Sequence, residues 1–252
     1  MTSPRQILID PLSAQSLIIE TSVKGQSLGT ATGFVVASGR HKALITNWHV
    51  VAGRNPDTDQ LLSPTGAVPD QLHILHHAAD KLGQWAIRTE NLFSRGRPRW
   101  IEHSQGRLID VVTLPLAKVD AGITIYPFDL GLAATDMIPE VAMPISIIGY
   151  PFGMRTGGSW PIWKTGHIAS DPDLDYDGRP AFLIDATTRG GMSGSPVVLR
   201  MTSGFKTRTG TYVLAAGMST LFLGVYSGRI HDQSEIGRVW RPSVIDDLLG
   251  SL

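Results

Sequence analysis

The stretch Asp185-Ala-Thr-Thr-Arg-Gly-Gly-Met-Ser-Gly-Ser-Pro-Val-Val198 sets a serine, Ser193, among three glycines, Gly190, Gly191 and Gly194. Glycine takes up backbone torsions that other residues avoid, and it leaves room for a second molecule to approach. A serine hydroxyl is a weak nucleophile alone. Acyl transfer through it needs a base and a site for the charge that develops on the attacked oxygen. A tight Gly-x-Ser turn can aim the backbone N–H groups of Gly191 and Ser193 at one point, which is what that site requires. Taken alone, the segment also fits a Gly/Ser-rich hairpin turn leading into the strand PVVLR.

A nucleophile elbow of the α/β-hydrolase type competes for the same Gly-x-Ser. Three features argue against it. The fifth position is Ser195 and not Gly. A strand-forming Pro-Val-Val follows where the elbow needs a helix. The elbow serine also precedes its acid and its histidine, whereas here the best histidine lies far upstream. That residue is His49, in ALITNWHVVAG, where an apolar strand ends and a small-residue turn begins. A base at a strand end is held rigidly yet reaches a cleft. His41, His73, His76, His77, His103, His167 and His231 compete with it, and a lone histidine is more often structural. Asp110 lies in the apolar run LIDVVTLPL. Burying a carboxylate there is costly without a partner. A histidine N–H supplies one, and the carboxylate then fixes the ring's tautomer. Asp129, in Pro-Phe-Asp-Leu, is the rival acid.

These residues need a scaffold of strands. SLIIETSVKG, GTATGFVVAS and HKALITNWHVV are short, β-branched and bounded by turn residues. GRNPDTDQLLSPTGAVPDQ reads as a long surface loop. LHILHHAAD, QWAIRTENLF, RPRWIEHS and IDVVTLPL continue the pattern, and ITIYPFDLGL links two halves. AMPISIIGY, SWPIWKTGHIAS, AFLIDAT, SPVVLR, TYVLAAG and LFLGVYSG repeat the texture. RPSVIDDLLGSL reads as a helix, with Ser243 as cap, Asp246 as its acidic partner, and Val244, Leu248 and Leu249 on one face. Many short strands with a lone C-terminal helix point to paired β-barrels.

Composition agrees. Of the 252 residues only 17% are charged, while Gly 27 and Pro 16 are plentiful, which suits an all-β chain rich in turns. Lys+Arg 22 balances Asp+Glu 22, so no nucleic-acid or membrane partner is expected. With Cys 0, a disulfide framework, a thiol nucleophile and a zinc–thiolate site are excluded. The opening MTSPRQILIDPLSAQSLIIE lacks the pattern of a signal peptide, and no apolar run is long enough to span a bilayer. The expected address is the cytoplasm, and the lack of cysteine leans toward a reducing compartment or a prokaryotic, bacterial source.

On these residues the chain resembles the trypsin-like (chymotrypsin-fold) serine proteases, in particular the bacterial HtrA-type and glutamyl-endopeptidase branches. ALITNWHVV is similar to the family's histidine motif, GTATGFVV to the strand before it, IDVVTLPL to the aspartate motif and IIGYPFG to a turn early in the second barrel. TTRGGMSGSPVV is similar to the serine motif, with Ser195 as in the glutamyl-endopeptidase variant, and LGVYSG to the strand lining the specificity pocket. The order His, Asp, Ser is the family's, and the resemblance spans roughly residues 16 to 245. It implies an all-β fold of two six-stranded antiparallel β-barrels with a short C-terminal helix. The expected organisation is one protease domain: an N-terminal arm (1–15), a first barrel (16–130) bearing His49 and Asp110, and a second barrel (131–252) bearing Ser193, the oxyanion hole and the specificity pocket.

The resemblance further implies a catalytic triad of His49, Asp110 and Ser193, an oxyanion hole from Gly191 and Ser193, and a substrate pocket of Thr187, Thr188, Tyr226, Ser227 and Gly228. Substrate backbone is expected on the Ser227–Gly228 edge. No cofactor or metal is implied, and the substrate would be a protein or peptide. Met192 stands where zymogen-type relatives carry an aspartate that receives a freed N-terminus, so activation by N-terminal cleavage is not expected. No aspartate stands near Thr187 to favour Lys or Arg. Thr188 matches half of a glutamate-binding pair, but Tyr226 replaces its histidine. Arg189 and Arg229 either attract an acidic side chain or point to solvent.

Other signals are weaker. Asp173-Leu-Asp-Tyr-Asp-Gly178, within the acidic loop 171–177, copies the start of a calcium loop but has Ile184 where the pattern needs Glu, so a solvated acidic turn is expected. His73, His76 and His77 lack a completing acidic set and read as strand and loop residues. Arg95-Gly-Arg-Pro-Arg99 reads as a solvated hairpin. Two rival functions stand beside the enzyme: a silent trypsin-like fold used for binding, and a protease effector held inactive until a separate regulatory chain binds.

Overall fold

The computed structural model describes residues 8–117, 122–231 and 233–252; the first seven residues of the expected N-terminal arm lie outside the described residues. The arm ends in a one-turn helix, α1 (Pro11–Gln15), started by Pro11 and capped by the Asp10 carboxylate on the Leu12 N–H at 3.0 Å.

In the first half, β1 (Ser16–Val23) and β2 (Gln26–Ser38) form a hairpin through Lys24 and Gly25, both at positive φ. Two such residues give a turn whose twist matches the strands. Next come β3 (His41–Thr46), the short helix α2 (Trp48–Ala52), β4 (Gln71–Ala78) and β5 (Lys81–Asn91). The run Arg95–Arg99 turns the small hairpin of β6 (Phe93–Ser94) and β7 (Arg97–Pro98). β8 (Ile101–Glu102), β9 (Val112–Pro115) and β10 (Ile123–Thr124) complete the half. Its sheet has the order β10-β4-β1-β2-β3-β9-β8, with β5 on β4.

In the second half, β11 (Pro144–Gly149), β12 (Ile162–Ile168), β13 (Ala181–Asp185), β14 (Pro196–Met201), the hairpin of β15 (Phe205–Lys206) and β16 (Tyr212–Val213), β17 (Ser219–Arg229) and β18 (Ile236–Trp240) precede the helix α3 (Ser243–Leu249). Six of these strands close a barrel in the order β11-β12-β13-β18-β17-β14. The chain is therefore mostly β, with one closed six-stranded barrel. The first-half sheet counts eight strands instead of six, because β5 pairs with β4 alone and the two-residue β8 and β10 add to the ends.

Each half buries its own apolar core, and a third cluster joins them. Phe34 of β2, Phe128 of the connecting segment and Phe222 of β17 meet with ring centroids 4.7–5.9 Å apart. Val244, Ile245 and Leu248 of α3 pack into the same cluster. A shared apolar core of this kind fixes one half against the other. The helix departs from expectation at its start. Pro242 occupies the cap position and the Ile245 N–H donates to its carbonyl, so Ser243 is the first helical residue and makes no cap hydrogen bond.

Candidate active site

β3 delivers Asn47 and His49 to the end of the first-half sheet. The apolar strand ends at Thr46, and α2 turns for five residues before Gly53 at φ +63 stops it. The first residues of this helix are buried on Trp48, Val50 and Val51, which leaves His49 to face the gap between the halves. Asp110 sits just before β9, which pairs with β3. Its carboxylate takes both groups that His49 offers: the backbone N–H at 2.9 Å and the ring Nδ1 at 2.7 Å. The Asn47 amide donates to the Asp110 carbonyl at 2.6 Å and holds the acid's own backbone. Asp110 is buried, and its cost there is met by these bonds. With Nδ1 donating to the carboxylate, the ring is fixed in the tautomer whose Nε2 accepts a proton.

Ser193 belongs to the turn before β14. His49, Asp110 and Ser193 line one cleft of about 400 Å³. The turn is shaped by Gly191 at φ +93 and Gly194 at φ +85. A Cβ on Gly191 would lie 2.2 Å from the Tyr150 carbonyl, and one on Gly194 would lie 2.0 Å from the Thr32 carbonyl. Both positions thus require glycine for torsion and for space. The Gly190 carbonyl accepts from the Phe152 N–H at 2.6 Å. C=O and N–H point in opposite directions across a trans peptide, so the Gly191 N–H faces away from that loop. Among the described residues neither the Gly191 nor the Ser193 N–H is given to an acceptor. They are therefore free to receive a developing oxyanion.

Thr32 of β2 is the residue that sequence reasoning missed. Its N–H donates to the Ser193 carbonyl and its hydroxyl to the Gly191 carbonyl, each at 2.8 Å, while the Tyr150 N–H donates to that hydroxyl at 3.2 Å. Thr32 thereby fastens the turn to the first half. The only sequence signal was its place in the GTATGFVV strand, which marks a strand and not a contact.

The expected pocket residues divide. Thr188, Tyr226, Ser227 and Gly228 line the cleft, but Thr187 does not: it is exposed, because burial alternates along Ala186, Thr187 and Thr188 and places it outward. Thr188 and Tyr226 are buried and share a short hydrogen bond between hydroxyls. Burial pushes the Tyr226 phenol up to about 12, with Thr188 and Arg229 opposing, so it is a neutral hydroxyl at ordinary pH. Arg189 is occupied by Glu235 at 3.2 Å and by the Thr188 carbonyl at 2.6 Å, whereas Arg229 is exposed on the rim. Backbone pairing on this side of β17 ends at Tyr226, whose N–H donates to the Ser195 carbonyl and whose carbonyl accepts from the Gly194 N–H, each at 2.9 Å, which leaves the Ser227–Gly228 edge open beside Ser193.

Rival candidates fall elsewhere. Asp129 caps the short helical turn at 130–133 through the Gly131 N–H. Ser195 is fully buried against Gly149. His73, His76 and His77 lie on β4, and among the described residues no group of three or more His, Asp or Glu is arranged to hold a metal ion. The acidic turn is spoken for by arginines: Asp173 by Arg208, Asp175 by Arg241 and Asp177 by Arg179. Among the described residues no helix is long and apolar enough to cross a membrane.

Comparison with known proteins agrees with this geometry. A family model for the trypsin-like peptidase domain matches residues 31–203. The chain is similar to the protease Anisep from Arthrobacter nicotinovorans at 12% identity and a TM-score of 0.57, with 94% of each chain covered. It is similar to a thermostable serine protease from an extremophilic microorganism at 13% identity and a TM-score of 0.56, covering 96% of this chain and 98% of that one. The active form of the Rv3671c protease from M. tuberculosis gives 18% identity and a TM-score of 0.51, covering 95% and 81%. At such identities the likeness is one of fold. No curated protein matches.

Proposed function

Since the chain belongs to the trypsin-like peptidase domain family, we propose that it is a serine endopeptidase that cleaves protein or peptide chains through an acyl-enzyme. The observation that carries this is the His49–Asp110 hydrogen bond of 2.7 Å in the cleft that also holds Ser193. In the proposed reaction, the Ser193 hydroxyl proton passes to His49 Nε2 as Oγ attacks the scissile carbonyl carbon. The N–H groups of Gly191 and Ser193 hold the resulting oxyanion. Asp110 keeps the ring oriented and stabilises the imidazolium. The tetrahedral adduct collapses as His49 gives its proton to the leaving amine. Water, deprotonated by the same ring, then attacks the ester and releases the acid and Ser193.

Met192 supports activity without N-terminal cleavage. It is fully buried with Ile145, Ile147 and Val197 in the second core. Apolar packing, and not an ion pair with a freed terminus, anchors the segment before Ser193 in this reading.

A fluorophosphonate probe tests both points. The intact protein is expected to label, and Ser193→Ala to abolish the label. An intact protein that stays unlabelled would contradict the enzyme. A large gain in labelling after trimming the N-terminus would contradict constitutive assembly.

A further inference from the structure

The loop after His49 does not stay on its own half. Asp57 reaches the second barrel, where its carboxylate meets Arg179 at 2.9 Å and Arg238 at 3.5 Å. Arg107 of the first half binds the Pro56 carbonyl and, at 3.2 Å, that of Asp57, steadying the loop from behind. Arg179 is also held by Asp177 at 3.5 Å and by the Leu108 carbonyl at 3.4 Å. Arg238 lies between the rings of Tyr176 and Trp240, at 5.8 and 5.6 Å. The arginine ends are therefore rigid, while Asp57 is 46% exposed and is the part that can let go.

The position of this ionic contact matters. Asn55, Pro56 and Asp57 line the same cleft as His49, Ser193, Ser227, Gly228 and Arg229. Arg238 is the register partner of Gly228 on β18, the neighbour of β17 on the side away from the open edge, so its backbone stands one strand spacing, about 4.8 Å, from Gly228. An extended peptide adding to that edge would lead its acyl portion away from Ser193 past Gly228, toward the Asp57 contact.

We propose that Asp57, bound to Arg179 and Arg238, straps the 54–62 loop across the acyl-side end of the cleft and so limits how many residues can precede the scissile bond. This rests on the peptidase reading above. Short acyl groups fit beneath the strap; a longer chain has to displace it. Asp57 acts as a determinant of specificity and takes no part in proton transfer.

The test compares a long and a short acyl donor, casein and p-nitrophenyl acetate, with intact wild type, Asp57→Ala and Arg179→Gln. The ratio of casein to ester turnover is expected to rise at least about fivefold in either variant. Raising NaCl from about 0.1 to 1 M shortens the Debye length from about 10 to 3 Å. That change should raise the ratio in wild type and leave it flat in Asp57→Ala. An unchanged ratio in both variants would overturn the strap while leaving the peptidase intact. Wild type that turns over neither substrate would overturn the peptidase reading, and the strap's role with it.

Discussion

Thr32, Asn47 and Tyr226 show how single polar side chains hold the site. None of them is a candidate for proton transfer; Thr32 ties the backbone beside Ser193, Asn47 that of Asp110, and Tyr226 the Thr188 hydroxyl in the cleft wall. Thr32 is the most exposed to test, because valine has its shape without its hydroxyl. In Thr32→Val the Gly191 carbonyl and the Tyr150 N–H both lose their partner in a buried place. Each unsatisfied group costs about 1–3 kcal/mol, so a loss of about 2–6 kcal/mol in urea unfolding is expected. The turnover number for p-nitrophenyl acetate should fall more than tenfold, since the Gly191–Met192 peptide, which lies between the Gly191 and Ser193 N–H groups, is no longer pinned. Unfolding at wild-type urea concentration with wild-type turnover would remove Thr32 from the assembly of the turn.

At the scale of elements, the decisive contact is β2 lying against the turn between Gly190 and Gly194. Two glycine substitutions separate torsion from space. Gly25 in the β1–β2 hairpin has φ +80 and nothing within 4 Å of a new Cβ, whereas Gly194 has φ +85 and the Thr32 carbonyl at 2.0 Å. Gly25→Ala should therefore cost only the left-handed penalty of about 1–2 kcal/mol. Gly194→Ala should cost clearly more and abolish probe labelling, because β2 and the turn that carries Ser193 have to part. Chemical denaturation of the two variants side by side measures the difference, and equal losses would mean that the close approach carries no weight.

For the whole molecule, the back of the interface between halves is built around His77. Its Nε2 contacts the Ala14 carbonyl at 3.1 Å, and its ring is packed by Trp85, Tyr126 and Trp160 at 5.1–5.9 Å. Burial holds its pKa below the ordinary 6.5, with the Ala14 bond opposing. The unfolded chain thus binds a proton at a higher pH than the folded one does. Stability is fully present above about 6.5 and is lost as pH falls below it. The melting temperature should drop as pH falls below about 6.5, and His77→Gln, which can keep the Ala14 bond, should flatten that slope. A variant that follows the wild-type curve would place the titration elsewhere.

The all-β class, the strand-sized runs and the residue types of the candidate triad were legible in the sequence alone, because each depends on neighbours within about ten positions: apolar alternation, a strand end at His49, glycines around Ser193. Local pattern also excluded thiol and disulfide chemistry. What the pattern could not carry was any pairing across the fold. Thr32 lies 159 residues from Gly191, and Asp57 lies 122 residues from Arg179. No propensity or spacing links positions so far apart; the register of the two β-units does. The same register turned Thr187 outward, tied Arg189 to Glu235 and kept Ser195 buried. The open Ser227–Gly228 edge and the contact of Asp57 with Arg179 exist only once two halves, each with its own core, are fixed together by a third, so the residue types of the candidate site could be read along the chain while the shape of the cleft was decided by packing.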